Sequence, residues 1–231
     1  TPVFSGGFTD GGLGASSRML HDYQRKHVMR PGKADMLMPL IYNSWGTFQF
    51  DIDEQRMMKL AELAAAVGVE LFVIDDGWFG TRDNDRCALG DWDPSPTKFP
   101  KGLGPLIEKV NSLGMEFGIW LEPEMVSPDS DLYRAHPDWV FHFPNRDGAQ
   151  YRHQLTLNLA REDVKQFVYD TMYKLISENN IRYFKLDNNR YVSEPGWPEA
   201  SSEEQRAVWV TYVQNFYDIF ARLTQRFPDV I

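Results

Sequence analysis

The sequence is short of cysteine and of positive charge, and each shortage excludes a class of protein. Cys87 is the only cysteine in 231 residues, so no intrachain disulfide can form, and we expect a reducing, cytoplasmic compartment. The net charge is −9, whereas phosphate binding requires a basic face, so we expect no nucleic acid partner. No apolar run reaches the roughly 18 residues of a membrane-spanning helix, so we expect no membrane span. With 42% hydrophobic and 25% charged residues, the composition is that of a globular protein.

Several motifs of common active sites are missing as well. The five histidines lack the HxxxH and HxH spacings of a zinc site, and the acidic segment 129–131 lacks the glycine and the distal glutamate of a calcium loop. No GxGxxG fingerprint follows the first apolar run, and the chain has no GxSxG nucleophile elbow. We therefore expect neither a metal nor a cofactor.

The chain also shows no initiator methionine and no signal peptide. It opens at TPVFSGGF and stops at FPDVI. We therefore expect it to be a piece of a longer protein.

Apolar segments and amphipathic helices alternate along the chain. Helices are predicted at 16–29, 51–68, 103–114, 161–180 and 202–227, and strands at 36–45, 69–78, 115–124 and 181–187. Such alternation indicates βαβ units and therefore a parallel sheet. A further short strand is expected at 153–159, inside the long 125–160 connection and outside that sheet. A fifth sheet strand is expected to start at Asp229.

Two architectures suit such a sheet, the doubly wound sheet and the (β/α)₈ barrel. Each predicted strand ends in polar or aromatic side chains, namely Asn43 and Trp45, Asp75 and Asp76, Trp120 with Glu122 and Glu124, and Lys185 with Asp187. Barrel enzymes place their active sites at these strand ends, so the pattern favours the barrel. A barrel needs about 250 residues, and only four strand–helix units and the start of a fifth strand are present. We therefore predict roughly the first half of a (β/α)₈ TIM barrel.

The stretch FKLDN, residues 184–188, carries the clearest chemical signal. Side chains alternate along a strand, so Lys185 and Asp187 face the same space, as a catalytic pair or as a structural ion pair. Asp75 and Asp76 follow a buried strand directly. Ionised carboxylates accept hydrogen bonds and suit the paired hydroxyls of a sugar, although a helix cap and turn would use the same residues.

The remaining candidates allow two interpretations each. Trp45 and Trp120 are either core residues or platforms for a sugar ring. Glu122 and Glu124 are either part of a site or a solvated strand end. On its chemistry alone, Arg152 is best interpreted as a surface residue.

Together these segments resemble glycoside hydrolase family 36, the microbial α-galactosidases. The resemblance runs in order from 43 to 198, through NSW, IDDGWFG, GDW, FGIWLEPEMV, HPDWV, RHQLTLNL and FKLDNNRYVSEPGWP. It implies a catalytic barrel between a β-sandwich domain and a smaller β domain. Residues 1–35 would then be the linker from the N-terminal β-sandwich, and 36–231 would be a partial catalytic domain.

The resemblance also implies a retaining mechanism, in which one carboxylate forms a glycosyl-enzyme intermediate and a second acts as acid and base. The position that matches the family's nucleophile is Asp187. Lys185 matches a lysine that binds sugar hydroxyls and helps to keep the nucleophile ionised, and Asn189 matches the asparagine that binds the 2-hydroxyl. Leu186 and Asn188 depart from the family's usual Trp and Met, which we expect to alter packing and not chemistry.

Five further positions match the family's sugar-binding residues. Asp75 and Asp76 would hold the 4- and 6-hydroxyls, Trp45 and Trp120 would form walls of the galactose pocket, and Arg152 would bind the sugar, against its interpretation as a surface residue. The expected activity is exo-acting removal of terminal α-galactose from oligosaccharides of the raffinose and melibiose type.

The family's acid/base aspartate is expected beyond Ile231, so no residue of this chain is assigned that role, and the chain alone should turn nothing over. Three alternatives stay open: an α-N-acetylgalactosaminidase, a galactosyl transferase, and a glycan-binding barrel without catalysis. The Lys185–Asp187–Asn189 triplet argues against the last, because a lectin needs no nucleophile. The partners would be small-molecule or oligosaccharide α-galactosides, and the resemblance leaves room for a homo-oligomer of the full-length protein.

Overall fold

The computed structural model describes residues 4–30 and 32–230, which form two compact units. The first unit extends to Pro39 and contains helix α1 (Gly12–Tyr23) and a π-helical segment (Gln24–Val28). Its helix therefore begins four residues before the predicted 16–29 span. An exposed ion pair joins Arg25 to Asp35 at 2.6 Å within this unit.

The second unit, from Leu40 onward, is built on a four-stranded sheet. Its strands are β1 (Ile41–Asn43), β2 (Leu71–Ile74), β3 (Glu116–Leu121) and β6 (Tyr183–Leu186). They lie in the order β1-β2-β3-β6, and each neighbouring pair is parallel. The predicted parallel α/β architecture is thus confirmed, with strands shorter than the apolar runs that contain them.

The helices of this unit are α2 (Trp45–Phe48), α3 (Glu54–Ala66), α4 (Gly104–Ser112), α6 (Glu162–Glu178) and α7 (Ser202–Arg226). Local chemistry explains where two of them begin. Asp53 caps α3 by accepting a hydrogen bond from the Arg56 amide at 2.8 Å. Ser201 and Glu204 form a reciprocal capping box at the start of α7. The apolar faces of these helices and the wholly buried strand β2 share one core.

A small excursion between β3 and α6 holds the remaining elements. Strands β4 (Met125–Val126) and β5 (Leu155–Thr156) pair antiparallel, apart from the main sheet, and confirm the short strand predicted near 153–159. Helix α5 (Asp131–Ala135) and a 3₁₀ turn (Pro137–Trp139) lie between them. This excursion brings the polypeptide back across the end of β3.

The expected fifth sheet strand is absent from the described residues, since Asp229 and Val230 are not in a strand and Ile231 lies outside the described range. The sheet of this part of the chain is therefore four-stranded and open. Within residues 4–30 and 32–230, no helix combines the length and apolarity that crossing a membrane would require.

Candidate active site

The polar ends of the four parallel strands meet at one edge of the sheet. Ile74 pairs with Ile119, and Trp120 pairs with Lys185, so the residues that follow β2 lie in one row with these two strands. Asp75 follows β2 directly, and Asp187 follows β6 directly. Parallel strands leave all their carboxyl ends on the same side, which is why residues so distant in sequence come together here.

The Asp75 cluster, made of Asn43, Asp75 and Lys185, occupies the β1–β2 side of this edge. Oδ2 of Asp75 accepts hydrogen bonds from Nδ2 of Asn43 at 2.7 Å and from Nζ of Lys185 at 2.6 Å. The Asp75 side chain is 4% exposed and that of Lys185 is 36% exposed. A carboxylate oxygen has two lone pairs, so both lone pairs of Oδ2 already accept hydrogen bonds. Oδ1 accepts one hydrogen bond, from the Asp76 amide at 2.9 Å, and so keeps a lone pair with which it could accept from a sugar hydroxyl.

The Asp187 cluster, made of Trp120, Asp187 and Asn189, occupies the β3–β6 side. Oδ2 of Asp187 accepts from Nε1 of Trp120 and from Nδ2 of Asn189, both at 3.0 Å, and Oδ1 accepts from the Asn188 amide at 3.0 Å. Burial alone would raise the pKa of Asp187. The three hydrogen bonds, together with the charge of Lys185, outweigh burial and hold the pKa below its ordinary value.

Lys185 does not pair with Asp187, so the interpretation of these two residues as a structural ion pair is wrong. Among the described carboxylates, the one within ion-pair distance of Lys185 is Asp75. Lys185 still favours the ionised form of Asp187, as expected from the resemblance, but its charge contributes less than the hydrogen bonds of Trp120 and Asn189.

Asp76 turns away from Asp75 and binds Arg82. Nε and one terminal nitrogen of Arg82 donate to the two oxygens of Asp76 at 2.9 and 2.8 Å, and both side chains are buried. Burial raises the pKa of Asp76, and the bidentate pair opposes that rise. Sequence reasoning did not single out Arg82, because nothing in the polar segment TRDND (81–85) distinguishes a buried arginine from a surface one. The sugar-binding role of Asp76 stays a prediction.

Arg152 joins the Asp187 cluster although it is an exposed residue. One of its terminal nitrogens donates to Oδ1 of Asn189 at 2.8 Å. Arg152 and His153 both have left-handed backbone conformations, with φ of 53° and 58°. Non-glycine residues seldom adopt such angles, and residues held in them cluster at active sites and ligand-binding segments.

The two tryptophans of the predicted pocket have different environments. Trp120 is 1% exposed, and its ring stacks on Phe79 with 6.2 Å between centroids, so it is a core residue whose indole nitrogen reaches the site. Trp45 is partly exposed, and its ring packs edge-on against Phe50 at 5.0 Å. Of the two, Trp45 is the ring that retains accessible surface for a ligand.

Glu122 and Glu124 are buried, with 0% and 8% exposure, so their interpretation as a solvated strand end is wrong. Glu122 accepts from the amide of Asn189 at 2.6 Å, and Glu124 accepts from Nδ2 of Asn188 at 3.1 Å. Burial raises the pKa of Glu122, and its hydrogen bonds oppose that rise. The signal in the sequence was the spacing of two between acids directly after a strand that is apolar from Phe117 to Leu121.

Metal binding has no obvious location in this arrangement. Across the part of the chain that the structure describes, no group of three or more His, Cys, Asp or Glu side chains is placed to hold an ion. The groups that meet at this edge are carboxylates, amides, an indole and two cations, and such groups can hydrogen-bond to hydroxyls.

Comparison with known proteins identifies the family of this chain. The Melibiase family profile matches residues 1–231. The α-galactosidase AgaA of Geobacillus stearothermophilus is 41% identical over 224 residues, which is 97% of this chain and 31% of that protein. Probable α-galactosidase G of Aspergillus terreus is 42% identical over 234 residues, with the same two coverages.

Solved structures agree with the sequence relatives. The crystal structure of AgaA superposes on this chain with a TM-score of 0.92 at 41% identity. The match covers 96% of this chain and 31% of the AgaA chain. The α-galactosidase of Lactobacillus brevis superposes with a TM-score of 0.93 at 38% identity, and covers 96% and 30%. The fold is thus that of this part of the glycoside hydrolase family 36 α-galactosidases. The chain belongs to the Melibiase family, glycoside hydrolase family 36, and spans about a third of the length of the relatives it matches.

Proposed function

We propose that the full-length protein is a retaining α-galactosidase that removes terminal α-linked galactose from oligosaccharides of the raffinose and melibiose type. Variants of AgaA have been solved in complex with raffinose and with stachyose, which supports this substrate class. We further propose that the four parallel strands are the first half of a (β/α)₈ barrel, with residues 1–35 as a linker and 36–231 in the catalytic domain.

The observation that carries the proposal is the environment of Asp187. A carboxylate nucleophile must be ionised, and it must keep a lone pair free for the anomeric carbon. Trp120 and Asn189 occupy Oδ2, whereas the hydrogen bond that the structure shows at Oδ1 comes from the Asn188 amide alone. The lowered pKa supplies the charge, and Oδ1 supplies the lone pair.

In the proposed reaction, Oδ1 of Asp187 attacks the anomeric carbon and forms a β-linked galactosyl-enzyme. The leaving oxygen takes a proton from a general acid that the full-length protein must provide. Water then attacks the same carbon, loses a proton to that group in its basic form, and releases α-galactose and free Asp187. Lys185, Asp75 and Arg152 would hold sugar hydroxyls around the reacting carbon.

The first prediction tests the nucleophile. Asp187→Ala in the full-length protein should abolish hydrolysis of 4-nitrophenyl α-galactoside, since no group remains to form the intermediate. Sodium azide should restore part of the activity, because the small anion can occupy the vacated space and attack the anomeric carbon from the same face. The product should be β-galactosyl azide, of inverted configuration, which NMR identifies.

Thermal melts provide the control for this variant. The side chain of Asp187 lies at the strand end and not in the apolar core, so Asp187→Ala should unfold near the wild-type temperature. An Asp187→Ala protein that keeps its hydrolytic activity, or whose activity azide leaves at zero while the fold is intact, would contradict Asp187 as the nucleophile.

A further inference from the structure

The segment Glu122-Pro123-Glu124 carries two buried carboxylates directly after β3. Each accepts a hydrogen bond from one of two consecutive residues at another strand end, Asn188 and Asn189, which follow Asp187 in the chain. Burying a carboxylate is unfavourable unless hydrogen bonds or a partner charge compensate for the lost water. A pair of such carboxylates beside the proposed nucleophile therefore calls for a physical explanation.

Glu122 has three hydrogen-bond donors among its contacts. Oε1 accepts from the Asn189 amide at 2.6 Å, and Oε2 accepts from Nδ2 of Asn189 at 3.2 Å and from Nε2 of Gln154 at 2.9 Å. Every one of these groups is an N–H, which suits an ionised carboxylate that can only accept. Glu122 thus holds both the backbone and the side chain of Asn189.

The side-chain amide of Asn189 has only one orientation that satisfies its neighbours. Its Nδ2 donates to two carboxylates, Glu122 and Asp187, at 3.2 and 3.0 Å. Its Oδ1 accepts from Arg152 at 2.8 Å. Reversing the amide would set oxygen against both carboxylates and nitrogen against the guanidinium, so Glu122 helps to determine which end of Asn189 faces Asp187.

Glu124 binds the same turn, residues 188 and 189, through different groups. It accepts from Nδ2 of Asn188 at 3.1 Å and from the Tyr212 hydroxyl of helix α7 at 2.5 Å. The Asn188 side chain that it holds is not the one that contacts Asp187, because the nucleophile accepts from the Asn188 backbone amide. Glu124 therefore ties the turn to α7 without acting on the Asn189 side chain.

We propose that Glu122 is a positioning residue for the glycosylation step, which locks the Asn189 amide in the orientation that donates to Asp187, whereas Glu124 is a structural anchor of the turn. This inference rests on the proposed function of Asp187. It gives the two glutamates of one tripeptide separate roles that their similar burial would not suggest.

The substitution Glu122→Gln should disturb the Asn189 side chain selectively. Glutamine replaces one acceptor oxygen by a donor NH₂ group. The oxygen that remains can stay at the Asn189 backbone amide, which places the NH₂ group against the side-chain amides of Asn189 and Gln154. Gln154 can adapt by reversing its own amide, whose Oε1 is buried and lacks a hydrogen-bond partner among the described residues. Asn189 cannot adapt in this way, because reversal would turn its oxygen toward Asp187.

The second prediction compares Glu122→Gln with Glu124→Gln in the full-length protein. Displacing a catalytic contact by about 1 Å can lower a rate on the order of 100-fold, so kcat/KM of Glu122→Gln on 4-nitrophenyl α-galactoside should fall by roughly 10- to 100-fold. The matched control Glu124→Gln should lower the melting temperature by a similar amount and change kcat/KM less than about threefold, since it leaves Asn189 in place. Equal losses of kcat/KM in the two variants would overturn the proposal.

A double-mutant cycle tests whether Glu122 acts through Asn189. In an Asn189→Ala background, Glu122→Gln should have at least a fivefold smaller effect on kcat/KM than in the wild type, because the amide it positions is gone; this is the non-additivity expected for residues in one network. Full additivity would overturn the proposal. If Glu122→Gln does not fold, Glu122→Asp takes its place in the same cycle. A wild-type protein without any α-galactosidase activity would instead refute the proposed function, which separates the two failures.

Discussion

The two carboxylates at the centre of the site, Asp75 and Asp187, are stabilised in opposite ways. Asp75 is nearly inaccessible and binds a formal cation, the ammonium of Lys185, at 2.6 Å. Asp187 is held by an indole, an amide side chain and a backbone amide, all of them neutral donors. The ammonium of Lys185 therefore pairs with the carboxylate that we do not assign as the nucleophile.

This difference follows from what each carboxylate must do. A direct ammonium contact would compensate the charge of the nucleophile and reduce its reactivity, whereas neutral donors lower its pKa without adding an opposite charge. A carboxylate that binds hydroxyls has the opposite requirement, since its charge must stay buried and oriented when no sugar is bound. The Lys185–Asp75 pair meets that requirement.

The third prediction concerns a substitution that disrupts the Asp75 cluster, and it is the largest loss of activity that we expect from this comparison. Lys185→Ala leaves the carboxylate of Asp75 without its cation. Losing a hydrogen bond to a charged group is worth about 1.5–3 kcal/mol, so kcat/KM of the full-length protein should fall by roughly 10- to 100-fold. Azide should not restore it, because Asp187 is still present and fills its own space.

Stability separates this variant from Asp187→Ala. Breaking a fully buried ion pair costs about 3–5 kcal/mol, but exposure of the Lys185 side chain screens the pair, so a loss of about 1–2 kcal/mol in the free energy of unfolding is expected. Chemical denaturation measures it. Azide rescue of Lys185→Ala, or an unchanged kcat/KM, would show that the two clusters are not functionally distinct.

The fourth prediction sharpens the role of Asp75 itself. Asp75→Asn keeps the shape of the side chain but removes its charge and one acceptor oxygen. Because Asn43 and Lys185 donate to the Oδ2 position, the amide oxygen stays there, and the NH₂ group at the Oδ1 position weakens the hydrogen bond to a sugar hydroxyl. The axial 4-hydroxyl distinguishes galactose from glucose, and one weakened hydrogen bond of about 1–2 kcal/mol should reduce the preference for 4-nitrophenyl α-galactoside over the α-glucoside by roughly tenfold. A preference that Asp75→Asn leaves intact would place recognition of this hydroxyl elsewhere.

Much of the fold could be predicted because local sequence patterns indicate the strands and helices of the parallel sheet. Each apolar run that precedes a polar pair contains a strand, and each long amphipathic segment contains a helix. The first and last residues of these elements could be predicted less accurately than the elements themselves. The run at 36–45 contains only β1 (Ile41–Asn43), and the single helical turn α2 (Trp45–Phe48) is too short to show periodicity.

Much of the site's location could also be predicted, but its pairings could not. Topology alone brings the strand ends to one edge, so Asp75 and Asp187 were expected to meet there. The choice of Asp75 as the partner of Lys185 depends on sheet register between residues 110 apart in sequence, which no local pattern contains. For the same reason, the burial of Glu122 and the Arg82–Asp76 pair could not be seen from residue type.

The fifth prediction concerns the neutral donors of the Asp187 cluster and is the smallest at neutral pH. Trp120→Phe keeps an aromatic ring against Phe79 but removes the indole N–H that donates to Oδ2 of Asp187. Because this hydrogen bond is one of those that hold the pKa of Asp187 low, its loss should raise that pKa. Glycosylation requires ionised Asp187, so the acidic limb of the kcat/KM profile should move to higher pH.

At pH values well above the acidic limb, Asp187 is ionised in the wild type and in Trp120→Phe. Their kcat/KM values should then differ by less than about tenfold, the equivalent of about 1.4 kcal/mol. Trp45→Phe provides the control, since the ring of Trp45 packs on Phe50 and the same substitution there should leave the acidic limb in place. An acidic limb that Trp120→Phe leaves unmoved, or moves to lower pH, would mean that the neutral donors do not set the charge of Asp187. The cation of Lys185 would then have to do so across the site, and the contrast between the two carboxylates would lose its chemical meaning.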